Sequence, residues 1–163
     1  YYNLAYRMGH ERFASGLASA GISGCILPDL PLEEFDIWSE SATNYAIETI
    51  LLAAPTTPDE RLVELCSRSS GFVYAVGLLG VTGIRSELAD SAIKIAARVK
   101  TATSKPVLVG VGIGTPEQAV QACEVSDGVI VGSAVVQEML NSASPEKVGE
   151  LVSTFRNALD KNC

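Results

Sequence analysis

The chain has 163 residues, 47% hydrophobic and 19% charged, which is the composition of a single globular domain spanning residues 1–163, without signs of disorder or low complexity. A net charge of -7 and a pI near 4.7 leave no basic stripe to neutralise a phosphate backbone, so nucleic acid is excluded as a partner. No apolar run reaches the roughly 18 residues of a bilayer span and no charged-then-apolar leader opens the sequence, so a membrane role is excluded and a cytoplasmic protein is expected.

Tyr1-Tyr2-Asn3 reads as the end of a strand, and with Tyr rather than Met at position 1 the chain is expected to be the C-terminal part of something longer. His10 to Ala20 carries Phe13, Leu17 and Ala20 at helical spacing and stops at Gly21, a residue suited to a left-handed helix end; His10 itself is expected to be a solvated helix-start residue. Gly24 to Leu27 is a short apolar strand closed by Pro28-Asp29-Leu30-Pro31, whose prolines forbid further pairing. Glu33 to Asn44 is the next helix and Thr49 to Ala54 the next strand, ended by Pro55-Thr56. Pro58-Asp59-Glu60 opens a helix to Ser69, Phe72 to Val76 is a strand, and Gly77 to Ser86 is a loop too glycine-rich for a tight turn. Leu88 to Thr101 is a helix with Ile93, Ala96, Ala97 and Lys100 spaced for one buried stripe.

Pro106 to Val136 then holds two short β-branched runs, Val107 to Val111 and Val129 to Val131, expected to be strands covered on both faces. Each ends in a glycine-rich turn opening a helix. The first turn carries Gly110, Gly112 and Gly114 before Thr115-Pro116-Glu117, an N-cap, a proline at the first helical position and a first-turn acid. The second is Gly132-Ser133-Ala134. A ligand can approach such backbone closely, and the free N–H groups of a helix start suit a dianionic phosphate. Strand-end glycines are also plain turn formers, so a single turn decides nothing. Pro145 to Asn162 is a terminal helix with Val148, Leu151, Val152, Phe155 and Leu159 facing inward. Met8 and Met139 are expected to fill core space. Cys25, Cys66, Cys123 and Cys163, scattered and without a C-x-x-C pair, are expected to be core thiols rather than metal ligands or disulfides.

Five strand-helix units with no hairpin signal imply a parallel sheet. A doubly wound open sheet would gather its polar motifs at one switch point. Here every strand end carries one: Asp29, Pro55-Thr56, the Gly77 loop, Gly112 to Gly114, and Gly132-Ser133. That distribution is the habit of a (β/α)8 TIM barrel, whose active site draws on all its βα loops and whose last two loops bind phosphate. An incomplete barrel of about five units is expected, with about three units absent at the N-terminus.

The strings YYN, GISGCILPDLPLEE, LLAAPTTPDERL, GFVYAV with GVTGIR, PVLVGVGIGTPEQ and DGVIVGSAVV closely resemble, in the same order, the α chain of tryptophan synthase. The resemblance covers essentially the whole chain and implies tryptophan biosynthesis: retro-aldol cleavage of indole-3-glycerol phosphate to indole and glyceraldehyde 3-phosphate, a carbon-carbon lyase step. It implies no metal and no cofactor, pyridoxal phosphate belonging to the partner β chain of an α2β2 assembly. It also implies two catalytic carboxylates, both upstream of Tyr1, so that no catalytic residue lies in this chain. Carried over by position, Gly83, Gly112, Ile113, Gly132 and Ser133 match phosphate-binding positions, Tyr74 a tyrosine beside the substrate, and Thr82 the threonine of a closing lid. Tyr1 matches a residue lining the indole pocket, and Asn3 and Asp29 fall on the face that meets the β chain.

The chain departs from the family at Gly77-Leu78-Leu79, where a polar or basic residue is usual, and at Val111, where some members have phenylalanine. Two other readings stand beside the lyase: a non-catalytic, phosphate-binding partial barrel, and another phosphate-binding barrel enzyme of sugar or nucleotide metabolism. A five-unit arc is also expected to expose a strand edge and apolar interior, and so to self-associate.

Overall fold

Five strands pair in the order in which they occur, each parallel to the next: β1 (Gly24–Ile26), β2 (Glu48–Ala53), β3 (Val73–Val76), β4 (Val107–Gly110) and β5 (Gly128–Ile130). The structure is a computed structural model describing residues 1–77, 90–110, 112–142 and 144–162. The helices are α1 (Tyr2–Met8), α2 (His10–Ser19), α3 (Phe35–Asn44), α4 (Asp59–Arg68), α5 (Asp90–Ala102), α6 (Pro116–Cys123), α7 (Ser133–Ser142) and α8 (Pro145–Asn162), with a 3-10 turn at Leu32–Glu34. Strand and helix alternate as the sequence predicts. Boundaries move by a residue or two, and the loop predicted from Gly77 to Ser86 falls almost wholly outside the described residues.

Register assigns the two faces of the sheet, because paired residues of parallel strands point the same way. Leu51 pairs with Val73, Ala53 with Ala75, and Val73 and Ala75 with Val107 and Val109. All six are buried, and they join the core that Phe35, Trp38, Leu62, Leu65, Cys66, Ile95 and Val99 bring from α3, α4 and α5. Removing each of the larger side chains among them from water stabilises by about 1.5–3 kcal/mol before entropy is set against it. The alternate residues Ile26, Leu52, Tyr74, Leu108 and Ile130 line the other face and are exposed or only half-buried. Coverage on both faces was expected of β4 and β5; among the described residues the helices cover one face and leave Leu108 and Ile130 half-buried on the other.

Several expectations are corrected by this packing. Tyr1-Tyr2-Asn3 is not a strand end: Tyr2 opens α1, closing helical bonds where no neighbouring strand offers a ladder. The buried stripe of α5 is Ala92, Ile95, Ala96 and Val99, whereas Ile93, Ala97 and Lys100 are exposed. Lys100 faces outward, where its ammonium reaches both Asp127 oxygens, at 2.8 and 2.9 Å. On α8 Phe155 is buried but Val152 is half exposed, and Met8 and Met139 are exposed rather than core. Cys66 is buried in the core while Cys25 and Cys123 are half-buried, and burial pushes the Cys25 and Cys66 thiols up; Cys163 lies outside the described residues.

Helix ends are closed by chemistry visible in the sequence. Gly21, at φ 74°, lets the Ile22 N–H reach Leu17 O at 3.0 Å and the Gly21 N–H reach Ala18 O at 3.0 Å, ending α2 as predicted. The end of α4 is satisfied from a distance, by Lys105 Nζ donating to the carbonyls of Cys66, Ser67 and Ser69 at 2.8, 2.9 and 2.5 Å. Among the described residues no helix is long and apolar enough to cross a membrane.

Candidate functional site

The C-terminal ends of β4 and β5 form the core of the site. Gly110 pairs with Ile130, so Gly112 and Gly132 each stand two residues beyond the last matched pair, at the same level on adjacent strands. Gly112 has a φ of +86°, a conformation other residues adopt only with strain, and a Cβ built on it or on Gly132 would meet nothing within 4 Å. Both glycines therefore border open space. Among the described residues no hydrogen bond is donated by the Gly112 or Ile113 N–H. Gly132 O accepts the Val136 N–H at 3.0 Å, which makes Gly132 the cap of α7 and leaves the Ser133 N–H among the unpaired donors of a helix start. The sequence predicts free donors at the start of α6 as well. The structure corrects this: that end is closed by its own side chains, through a reciprocal bond between Thr115 and Gln118.

Tyr74 stands beside this group. Its ring lies against Gly110 so closely that a Cβ there would overlap its Cε2 and hydroxyl, which is why position 110 carries no side chain. Burial raises the Tyr74 pKa, keeping the phenol protonated as a donor. Gly112, Ile113, Gly132, Ser133 and Tyr74 are thus brought together on β3, β4 and β5.

Tyr1, Asn3 and Asp29 gather instead by β1, at the opposite edge of the sheet. Asp29 accepts the Tyr2 N–H at 2.7 Å, tying the loop after β1 to the start of α1. Tyr1 is 81% exposed, and Asn3 is exposed on the same helix. His10, expected to be solvated, is half-buried: Nε2 lies 2.9 Å from the Tyr2 hydroxyl and the two rings stack at 5.7 Å. Thr82 and Gly83, with Leu78, Leu79 and Val111, lie outside the described residues.

Arg61 forms a two-pronged bond with Glu33, at 2.5 and 3.1 Å, and Arg98 is held by the carbonyls of Pro55 and Thr57 and by Asp59. Glu33 is thus held by Arg61, Asp59 by Arg98 and Asp29 by a backbone N–H, so these three rim carboxylates are committed to structure. No three His, Cys, Asp or Glu side chains gather as a metal cluster among the described residues. The arrangement can bind an anion through backbone dipoles; among the described residues no acid-base pair stands at the cradle. Gly110 was singled out in the sequence as a turn glycine but not as the seat of the Tyr74 ring, and two contributors were missed altogether, Arg98 and Gln118. Only Gln118 had a readable signal, the Thr-x-x-Gln spacing of a capping box.

The sequence model of the family described as "Tryptophan synthase alpha chain" matches residues 1–162. The chain belongs to that family. It is 44% identical over 157 residues to the tryptophan synthase alpha chain of Gloeobacter violaceus, covering 96% of this chain and 57% of that one. The alpha chain of Arabidopsis thaliana is 43% identical over 160 residues, covering 98% and 58%. Among solved structures, the tryptophan synthase of Mycobacterium tuberculosis superposes with a TM-score of 0.88 at 36% identity, over 98% of this chain and 60% of the other. The tryptophan synthase α2β2 complex of Pyrococcus furiosus gives 0.88 at 35%, over 96% and 64%. The five parallel βα units are thus a half-barrel of the TIM-barrel fold, in a family of tryptophan biosynthesis lyases. The chain spans a little under three-fifths of the length of the curated relatives it matches.

Proposed function

We propose that this chain is the phosphate- and indole-binding part of a tryptophan synthase α chain, whose whole-protein reaction cleaves indole-3-glycerol phosphate to indole and glyceraldehyde 3-phosphate. The observation that carries this reading is the register that brings Gly112 and Gly132 to one level beside open space. In it, the phosphate lies on the Gly112 and Ile113 N–H groups and on the start of α7 at Gly132 and Ser133, with Gly83 as a further contact and Thr82 in the lid. Tyr74 stands beside the bound substrate and Tyr1 against the indole ring. Asn3 and Asp29 belong to the face toward the β chain, which holds the pyridoxal phosphate; the α chain itself uses no cofactor.

Carbon-carbon cleavage needs a proton at the indole ring, a carboxylate to balance the positive charge that develops on the ring nitrogen, and a base at the glycerol hydroxyl. The two carboxylates assigned to this chemistry belong, in this reading, to the part of the relatives' length that this chain does not span. Binding without them lowers no barrier for the bond-breaking step. The isolated chain is therefore expected to release no indole from indole-3-glycerol phosphate. Indole formation well above the no-protein background, followed by absorbance or fluorescence, would overturn this.

A further inference from the structure

The α6 N-terminus is the obvious place for a phosphate after β4, since an uncapped helix start concentrates about half a positive charge on its free N–H groups. In this chain those groups are already taken. Gln118 is only 2% exposed, and its Oε1 accepts the Gly114 N–H at 2.7 Å and the Thr115 N–H at 3.1 Å. Thr115 Oγ1 accepts the Gln118 N–H at 3.3 Å, Pro116 has no N–H, and the Ala119 N–H reaches Thr115 O at 3.1 Å. The Glu117 carboxyl is held below its usual range, first by its own backbone N–H and then by the Thr115 hydroxyl, so it is charged and adds a negative group to the same turn.

We propose that Gln118 is a positioning residue: its buried amide closes the α6 start to anions and confines phosphate to the Gly112 and Ile113 N–H groups and the start of α7. This rests on the phosphate-cradle reading above. A neutral amide is the side chain that does this best, because it supplies the accepting oxygen without a second negative charge beside the anion. Its rigidity follows from burial, and it fixes Gly114 and Thr115 directly after the Gly112 and Ile113 N–H groups, which donate no hydrogen bond among the described residues.

The test is a titration of the 163-residue chain with inorganic phosphate at a pH where it is dianionic, read residue by residue through backbone amide shifts, together with amide hydrogen exchange without phosphate. In the unaltered chain, Gly112, Ile113 and Ser133 are expected to respond while Gly114 and Thr115 stay still and protected from exchange. In Gln118→Ala, Gly114 and Thr115 lose protection and join the response, so that phosphate is no longer confined to the amides that respond in the unaltered chain. Gln118→Glu keeps the accepting oxygen, so protection returns, while its added charge still weakens phosphate binding. Gly114 and Thr115 responding as strongly as Gly112 in the unaltered chain would overturn the inference and leave the cradle standing. No response at any of these amides, with Gly114 and Thr115 still protected, would overturn the cradle and with it any anion role for Gln118.

Discussion

At the scale of single residues, the site depends on what a side chain would displace. Adding one carbon at Gly110 forces the Tyr74 ring away from β4, so Gly110→Ala is expected to destabilise the chain by about 1–3 kcal/mol in urea unfolding. Placing Tyr74→Ala in the same chain removes the clash. The double variant should therefore lose less than the two single losses added together, and simple additivity would refute the contact. Glu33 gives a pH signature. Its bond to Arg61 lowers its pKa from the ordinary 4.5 to about 2. A depressed carboxylate contributes above its unfolded pKa and loses that contribution as pH falls through the folded one. The stability difference between the unaltered chain and Glu33→Gln should accordingly be constant above pH 4.5 and fade between there and about 2. The pair is solvent-exposed, so the difference is small and shrinks further with salt. A difference that grows on acidification would rule the bond out.

At the scale of elements, α5 shows how one helix can carry two credible stripes. Ile93 and Ile95 are chemically identical, but Ile95 is fully buried while Ile93 is 37% exposed. Ile95→Ala should cost about 2–5 kcal/mol, whereas Ile93→Ala should cost well under half as much, measured by denaturant midpoints at constant m. Equal losses would mean that the helix is rotated from the orientation described. The end of α4 depends on a residue that precedes β4. Lys105→Met keeps most of the apolar stem but removes the donor to three carbonyls, and is expected to destabilise by about 1–3 kcal/mol.

At the scale of the whole molecule, the decisive fact is a sheet covered on one side. Ile26, Leu52, Tyr74, Leu108 and Ile130 leave an apolar face open, and β1 and β5 are both edges. Such a face invites association, and the isolated chain should sediment as species larger than a monomer, increasingly so with concentration. Leu52→Glu on the open face should reduce the association with little loss of helix content, while Val109→Glu on the covered face should unfold the chain. A concentration-independent monomer would sink the expectation. Much of this architecture was legible beforehand. Alternating strands and helices, prolines and glycines at their ends, and the absence of hairpin turns are local signals, and they gave the parallel order correctly. The glycine pair after β4 and β5 was legible for the same reason.

What the sequence alone determined is therefore where each element lies, which family it serves and which turns can approach a ligand, because these depend on residues within a few positions of one another. The tertiary structure decided the rest. It chose Ile95 over Ile93 because α5 packs Ala92, Ile95, Ala96 and Val99 into the core shared with β3 and β4, and it set the Tyr2 N–H of the helix start on Asp29, far along the chain. It also left the cradle's donors at Gly112 and Ile113 rather than at α6, because the buried Gln118 claims the helix start. Each of these outcomes is a competition between partners distant in sequence or hidden by burial, and no window of the chain contains both competitors together with the space between them.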